Sequence, residues 1–388
     1  MTADPLVESG VRLPGVAPGS RVVVAMSGGV DSSVAAALVA RGGYETVGVT
    51  LQLYDQGVAT ASGRSCCAGQ DVYDARRVAD HLGIPHYVLD FEERFRREVI
   101  ADFAAAYAAG RTPIPCVRCN QRIKFRDLLA VARKLGAAAL VTGHYVRRRE
   151  GPRGLELYRA ADARKDQSYF LFTLTPEQLA FCHFPLGELS KEKTRALART
   201  LALPTADKAE SQDICFVPDG DHQRLVAALA PEAARSGDIV HQDGRVLGRH
   251  AGIGRYTVGQ RRGLGVATGE RLYVLEIDPR RHRILVGPRR ATLCAEAELE
   301  EVNWLGGSPP RNRLLQVQHR YNQPAVPARL SATGAGRAVV RFLAPESGVA
   351  PGQACVFYEG ERLLGGGWIR RAPRLAGQAA AAQQRVGC

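Results

Sequence analysis

Carboxylates are the scarcer charge in this chain: 39 Asp and Glu stand against 52 Lys and Arg in 388 residues, a formal net charge of +13. A surplus of that size draws polyanions, nucleic acid first among them. Long apolar runs are missing, as is an amphipathic basic helix, so nothing points to a membrane. Met1 to Ser20 is rich in Pro and Gly, carries Asp4 and Glu8, and has no apolar h-region of the secretory kind. The expectation is a reducing, cytoplasmic setting. There the nine cysteines are catalytic, metal-binding or merely buried rather than paired as structural disulfides. The length predicts two or three domains, and 45% hydrophobic with 23% charged residues is ordinary for a globular chain.

What is present is concentrated near the start. Val22-Val23-Val24-Ala25-Met26 has the length and β-branched content of a buried strand, and it stops at Ser27-Gly28-Gly29. Asp31, Ser32 and Ser33 are residues that cap helices, and Val34 to Ala40 is a helix-forming run ending at Gly42-Gly43. A glycine turn between strand and helix lets backbone approach a ligand, and the N–H groups at the helix start favour phosphate. No lysine completes a G-x-x-x-x-G-K-[ST] loop here, nor is the turn a G-x-G-x-x-G. Without a lysine reaching the terminal phosphates, chemistry at an α-phosphate is expected, with pyrophosphate leaving.

Further strands are predicted at Thr46 to Leu53, Pro85 to Asp90 and Ala139 to Thr142. Helices are predicted at Asp74 to Leu82, Glu92 to Ala109 and Arg126 to Leu135. This alternation makes the N-terminal part an α/β, doubly wound parallel sheet, with ligands at the carboxyl ends of its strands. Pro113 and Pro115 should hold Arg111 to Phe125 extended, leaving its cysteines on a loop among cations, where a thiol pKa is lowered. Residues after Tyr145 read as a charged turn, and Lys191 to Leu201 as a basic helix. From Gly237 onward short apolar runs alternate with glycines: Arg271 to Ile277, Arg283 to Val286, Leu314 to Tyr321, Ala325 to Leu330, Arg337 to Phe342 and Ala354 to Tyr358. A C-terminal β-barrel or sandwich follows from them.

Cys116-x-x-Cys119 with a distant Cys215 admits three readings. Cys119 and Cys215 form a sulfur-transfer pair; or all three cysteines hold a metal or iron–sulfur cluster; or they are ordinary loop cysteines. Arg261-Arg262, set between glycines, suits a nucleic-acid backbone better than a base edge.

The Ser27-Gly28-Gly29-x-Asp31-Ser32 loop resembles the signature of the PP-loop ATP pyrophosphatases, which implies ATP and an adenylated substrate. The resemblance narrows with Thr112-Pro113, Cys119-Asn120, Ile123-Lys124-Phe125, Thr142-Gly143-His144-Tyr145, Lys165 to Leu171 and Asp213-Ile214-Cys215-Phe216. With Val258 to Gly265, Arg320-Tyr321 and Pro351-Gly352-Gln353, the chain is similar to the tRNA 2-thiouridylases from about residue 20 to about 370. The resemblance implies Cys119 as nucleophile and Cys215 as persulfide carrier. It implies that Ala25, Met26, Ser27, Gly28, Gly29, Val30, Asp31, Ser32, Leu51 and Gly143 line the ATP site. His144, Lys165, Asp166, Gln167, Arg320, Tyr321 and Gln353 would contact tRNA. Mg²⁺ would accompany ATP; separately, Cys116 in place of an acidic residue keeps open the reading of an iron–sulfur cluster at Cys116, Cys119 and Cys215. The partners implied are tRNA bearing a wobble uridine (of the Glu, Gln and Lys type), a cysteine desulfurase and a sulfur-carrier protein.

The implied architecture is a disordered leader (1–19), a PP-loop domain (20–213), a small central α+β domain (214–284), a C-terminal β-barrel (285–373) and a disordered tail (374–388). Two departures stand out. Cys116 occupies a position where many members carry aspartate, and Leu51 replaces an adenine-side methionine, a swap of similar volume. An adenylating amide synthase would share the loop but need no cysteine pair. A non-catalytic basic RNA-binding protein would bind tRNA without consuming ATP.

Overall fold

The computed structural model describes residues 4–54, 67–210, 214–217, 222–305, 309 and 311–375. The chain divides into two compact units. The first comprises residues 1–99, 116–220 and 361–363, and the second 100–115, 221–360 and 364–388.

The first unit is built on a five-stranded sheet of β1 (Arg21–Ala25), β2 (Glu45–Gln52), β3 (His86–Asp90), β4 (Ala139–Val141) and β7 (Cys182–His183), in the order β3-β2-β1-β4-β7. Each neighbouring pair is parallel. Val22, Val23 and Val24 are fully buried because helices cover both faces of a parallel sheet, so the strand needs no polar alternation. Each contributes roughly 1.5–3 kcal/mol by leaving water. The helix Val30–Arg41 is buried on two sides: Val30 and Val34 pack with Tyr145 and Leu197, while Ala35, Ala36 and Val39 pack with Val78 and Val141. The order places a switch between β1 and β4, where the connections leave in opposite directions and a crevice opens at the strands' carboxyl ends.

Several expectations change. Residues 1–19 were expected to be a disordered leader. Pro5–Ser9 instead forms a helix, with the Asp4 carboxylate accepting from the Leu6 N–H and proline in the first turn. Leu13 is buried beside Tyr44, whose hydroxyl accepts from the Leu13 N–H at 2.8 Å. The charged turn after Tyr145 is a hairpin, β5 (Arg147–Gly151) and β6 (Gly154–Tyr158). The continuous helix expected from Glu92 to Ala109 contains a π-helical turn at Arg96–Ile100.

The second unit holds two β structures. A four-stranded sheet runs β10-β11-β8-β9, from β8 (Gly237–His241), β9 (Val246–His250), β10 (Leu272–Asp278) and β11 (Arg283–Pro288). The C-terminal strands β12 (Leu293–Trp304), β13 (Arg313–Gln318), β14 (Val326–Gly334), β15 (Arg337–Ser347), β16 (Ala354–Glu359) and β17 (Arg362–Arg371) run in the order β12-β15-β14-β13-β16-β17. Antiparallel pairing of β12 with β17 closes the barrel. Its interior is filled by Leu299, Val317, Leu330, Val340, Phe357 and Ile369, so it is a packed core.

Candidate active site

The site grows from the carboxyl end of β1. Met26 N–H donates to Val49 O (2.8 Å) and Met26 O accepts from the Thr50 hydroxyl (2.8 Å), which fixes where the strand ends. Gly28 then takes φ +71°, and a Cβ there would stand 2.1 Å from Asp71 O. Helix capping differs from the expectation that Asp31, Ser32 and Ser33 supply it. Gly29 is the N-cap, and the helix starts without a side-chain cap. The hydroxyls of Ser32 and Ser33 turn back to Gly29 O (3.1 and 2.8 Å), and Ser32 Oγ also accepts from Ser27 N–H at 3.1 Å. The serines hold the loop's shape and leave the helix start without a side-chain cap, an arrangement that fits a phosphate.

The carboxyl end of β4 supplies the facing wall. A Cβ on Gly143 would lie 2.9 Å from both Asp31 C and Ser32 N, so only glycine permits this approach to the helix start. Asp31 Oδ1 accepts from Tyr145 Oη (2.8 Å) and Lys191 Nζ (2.6 Å). Tyr145 is buried, and burial followed by the charge of Asp31 pushes its pKa up. Lys191 pairs also with Glu210 (3.2 Å), which binds Lys165 at 2.6 Å and Arg195 at 3.7 Å. Hydrogen bonding from Lys165 holds the Glu210 carboxyl below its ordinary range. Lys208 clamps the loop from the other side, its Nζ donating to Gly28 O (3.0 Å), Asp71 Oδ1 (2.7 Å) and Asp74 Oδ2 (2.5 Å). Leu51 is half-buried at the end of β2, beside Leu89 of β3.

The thiols lie differently from the loop setting expected of Arg111 to Phe125. Pro115 opens a helix, Pro115–Arg118, that runs into the π-helical Cys119–Leu128, because proline suits a first helical position. Cys116 and Cys215 are exposed, whereas Cys119 is buried. Their acidity also runs against expectation. Burial pushes the Cys119 thiol up to about 11 despite the opposing charge of Lys124. Desolvation raises Cys215 to about 12, with further contributions from Cys119 and Cys116, and it raises Cys116 as well. The three thiols and the Lys124 ammonium therefore share one field. His144 joins it: its Nδ1 lies 2.8 Å from Thr142 Oγ1, and its ring packs on Phe125 and Phe184. Burial, then Lys124, pushes the His144 pKa well below 6.5, so the imidazole is neutral.

Among the described residues, no group of three or more His, Cys, Asp or Glu side chains is placed to hold a metal. Cys116, Cys119 and Cys215 are not such a group, and the iron–sulfur reading of these cysteines finds no support.

The residues expected to contact tRNA fall into two sets. In the first unit, Lys165 is partly exposed and bound to Glu210. Asp166 is buried, accepting from Arg159, Ala160 N–H and Ser168, and Gln167 Oε1 accepts from Tyr145 N–H. Those two shape the wall beside His144. In the second unit, Arg320 donates to Val258 O (2.8 Å), Gln353 donates to Thr112 O (3.1 Å), and the Tyr321 side chain is exposed. Asp213, which precedes Cys215 in the sequence motif, lies outside the described residues. Lys124, Tyr145, Lys208 and Glu210 stand in or near the sequence motifs, which gave them no role. Their signal is a pairing across tens to hundreds of residues, which a linear motif does not carry.

A doubly wound parallel sheet whose first strand ends in an uncapped Ser-Gly-Gly helix start defines a nucleotide-handling α/β protein of the HUP class. The family model described as "tRNA methyl transferase HUP domain" matches residues 20–219. Those described as "tRNA methyl transferase PRC-barrel domain" and "Aminomethyltransferase beta-barrel domain" match 226–288 and 295–369. A curated relative from Rhodospirillum centenum (strain ATCC 51521 / SW), called tRNA-specific 2-thiouridylase MnmA, is 59% identical over 361 residues, covering 91% of this chain and 92% of the relative. One of the same name from Parvibaculum lavamentivorans is 58% identical over 371 residues, covering 92% and 93%. The solved NMN synthetase from Francisella tularensis overlaps 55% of this chain and 78% of its own at 20% identity, but its TM-score of 0.32 is too low to bear on function. The chain belongs to the tRNA-specific 2-thiouridylase MnmA family. No helix among the described residues is long and apolar enough to cross a membrane.

Proposed function

We propose that this protein catalyses the ATP-dependent 2-thiolation of the wobble uridine, position 34, of tRNA, using a cysteine persulfide. The observation that carries this reading is His144. Its neighbour Gly143 abuts the Asp31–Ser32 helix start, and its own ring packs on Phe125, next in sequence to Lys124, whose charge acts on the Cys116, Cys119 and Cys215 thiols. Phosphate chemistry and sulfur chemistry are thereby joined within one unit.

ATP would seat its phosphates on the N–H groups following Gly28, and Mg²⁺ carried with it would offset the developing charge. The uridine O2 attacks the α-phosphate, pyrophosphate leaves, and C2 becomes an electrophile with AMP as leaving group. Cys215 brings the outer sulfur of a persulfide. Either that sulfur adds to C2 with loss of AMP, and the Cys119 thiolate then attacks Cys215 Sγ to break the S–S bond and free the thiocarbonyl, or Cys119 attacks Cys215 Sγ first and the sulfide released adds to C2 with loss of AMP. Both routes leave a Cys119–Cys215 disulfide that an external dithiol reduces for the next turnover. The target base has to leave its stack to be reached, which suits a single-stranded anticodon loop. A cysteine desulfurase and a sulfur carrier would load Cys215 in the cytoplasm.

The test is pyrophosphate release. It should depend on tRNA and persist in Cys119→Ser and Cys215→Ser, whose sulfur transfer should fail. Sulfur incorporation undiminished in both variants would overturn the persulfide route.

A further inference from the structure

Cys119–Leu128 is π-helical over ten residues, a rare length for a form that mostly occurs as single turns, often at functional sites. In a π-helix each N–H pairs with the carbonyl five residues back, so side chains five apart stand on one side. Asn120 with Phe125 and Ile123 with Leu128 are such pairs, and all four are buried. Cys119 with Lys124 is another. In an α-helix five residues turn through about 140° beyond a full circle, which would direct the ammonium away from the thiol.

Lys124 is half-buried, yet among the described residues no carboxylate pairs with it. The acids along this helix are taken, Glu98 by Arg122 and Arg126 and Asp127 by Arg94 and Arg126. The other lysines of this unit that are not exposed, Lys165, Lys191 and Lys208, all have carboxylate partners. A half-buried ammonium without a counter-charge costs free energy, and that cost falls when a neighbouring group becomes an anion. The groups on which the Lys124 charge acts are the Cys116, Cys119 and Cys215 thiols and the His144 ring, and of these only the thiols can become anions.

We infer that Lys124 is a positioning residue for sulfur transfer: from one π-turn along the helix its ammonium stabilises the Cys119 thiolate that attacks Cys215 Sγ. The inference rests on the persulfide reading. In that step Cys119 first loses its proton to solvent; the Cys119–Cys215 bond then forms, the persulfide bond breaks, and the outer sulfur leaves with its electron pair, the disulfide being reduced afterwards by the external dithiol. Burial keeps the resting thiol protonated, and the fixed cation keeps its thiolate within reach.

The test is the rate of iodoacetamide labelling of Cys119 from about pH 7 to about pH 11, read by peptide mass in the full-length native chain and in Lys124→Gln, Lys124→Met and Lys124→Arg. The reagent is uncharged, so its rate follows the thiolate. Gln and Met differ in polarity, so loss of fold in one variant leaves the other readable. Both neutral variants should show a profile displaced upward by about one pH unit, with labelling at pH 8 about tenfold slower, while Lys124→Arg stays within about threefold of native. A merely structural role would loosen the helix, expose Cys119 and speed labelling at every pH. Faster labelling in the neutral variants, or an unmoved profile, would overturn the inference. In a single turnover begun with a persulfide on Cys215, the neutral variants should form the Cys119–Cys215 disulfide about tenfold more slowly at pH 8 and recover over about one further pH unit, with Lys124→Arg close to native. A native rate in the neutral variants would again overturn it. If the native chain itself forms no such disulfide, the persulfide reading falls and takes the inference with it, whatever the labelling shows.

Discussion

Lys208→Met removes one ammonium and leaves two carboxylates behind. Lys208 Nζ sits 2.7 Å from Asp71 and 2.5 Å from Asp74, with side-chain exposures of 27% for the lysine, 32% for Asp71 and 11% for Asp74. Exposed pairs are worth roughly 0.2–1 kcal/mol, whereas stripping one partner from a buried pair costs about 3–5 kcal/mol. This partly buried cluster falls between them, at about 2 kcal/mol, since Gln70 still donates to Asp74 at 2.8 Å. For a unit of this size that lowers Tm by about 4–8 °C. The nucleotide should suffer as well. Like unit charges roughly 8 Å apart repel by about 2 kcal/mol at an effective dielectric near 20, so a carboxylate stranded beside the phosphate loop, after solvent screening, should raise the KM for ATP roughly tenfold. Thermal unfolding and pyrophosphate-release kinetics measure both effects. Adding Asp74→Asn to Lys208→Met should recover at least half of each loss, because it removes the stranded charge. Strictly additive damage in the double variant, or an unchanged KM for ATP in Lys208→Met, would refute the clamp.

Three further outcomes follow from the site. Gly143→Ala places a Cβ 2.9 Å from backbone atoms of Asp31 and Ser32, so pyrophosphate release should fall at least tenfold in a protein whose Tm drops by only a few degrees. Because burial holds the Cys119 thiol at about 11 in the folded chain against about 9 for an exposed thiol, its thiolate at pH 8 is roughly a hundredfold scarcer, and iodoacetamide labelling should climb until about pH 11 without a plateau near 9. The folded thiol keeps its proton longer than the unfolded one, so its contribution to stability is full below pH 9 and lost as pH rises through about 11; stability that increases across that window would contradict the burial argument. Cys116→Ser should retain sulfur incorporation within about threefold, which mass analysis of the product nucleoside checks, since Cys116 lies exposed on the turn preceding Cys119.

The strand and its glycine loop were legible because Val22 to Met26 is an unbroken apolar run with an abrupt stop. The helix cap was not, since Ser32 and Ser33 direct their hydroxyls to Gly29 O rather than to the first N–H groups. The setting of Cys119 was misjudged through Pro115, which reads as a helix breaker in sequence but acts here as a helix starter. Inner barrel strands announced themselves by alternation, while β12, with four glutamates and the sequence LCAEAELEEVNW, reads as helix or loop. Only pairing with β15 and β17 makes it a strand. Lys191 and Lys208 were invisible as site residues because their partners lie 160 and 134–180 residues away.

The central claim is that one protein consumes ATP to exchange a uridine oxygen for sulfur through Cys119 and Cys215. The measurement is nucleoside mass analysis of an unmodified wobble-uridine tRNA after incubation with the protein, ATP, Mg²⁺, a dithiol reductant and a persulfide source, a cysteine desulfurase with cysteine. The account predicts a single sulfur-for-oxygen exchange at the wobble position that requires ATP and disappears in Cys119→Ser. ATP turnover with no sulfur gained, or a gain that survives in Cys119→Ser, would contradict it.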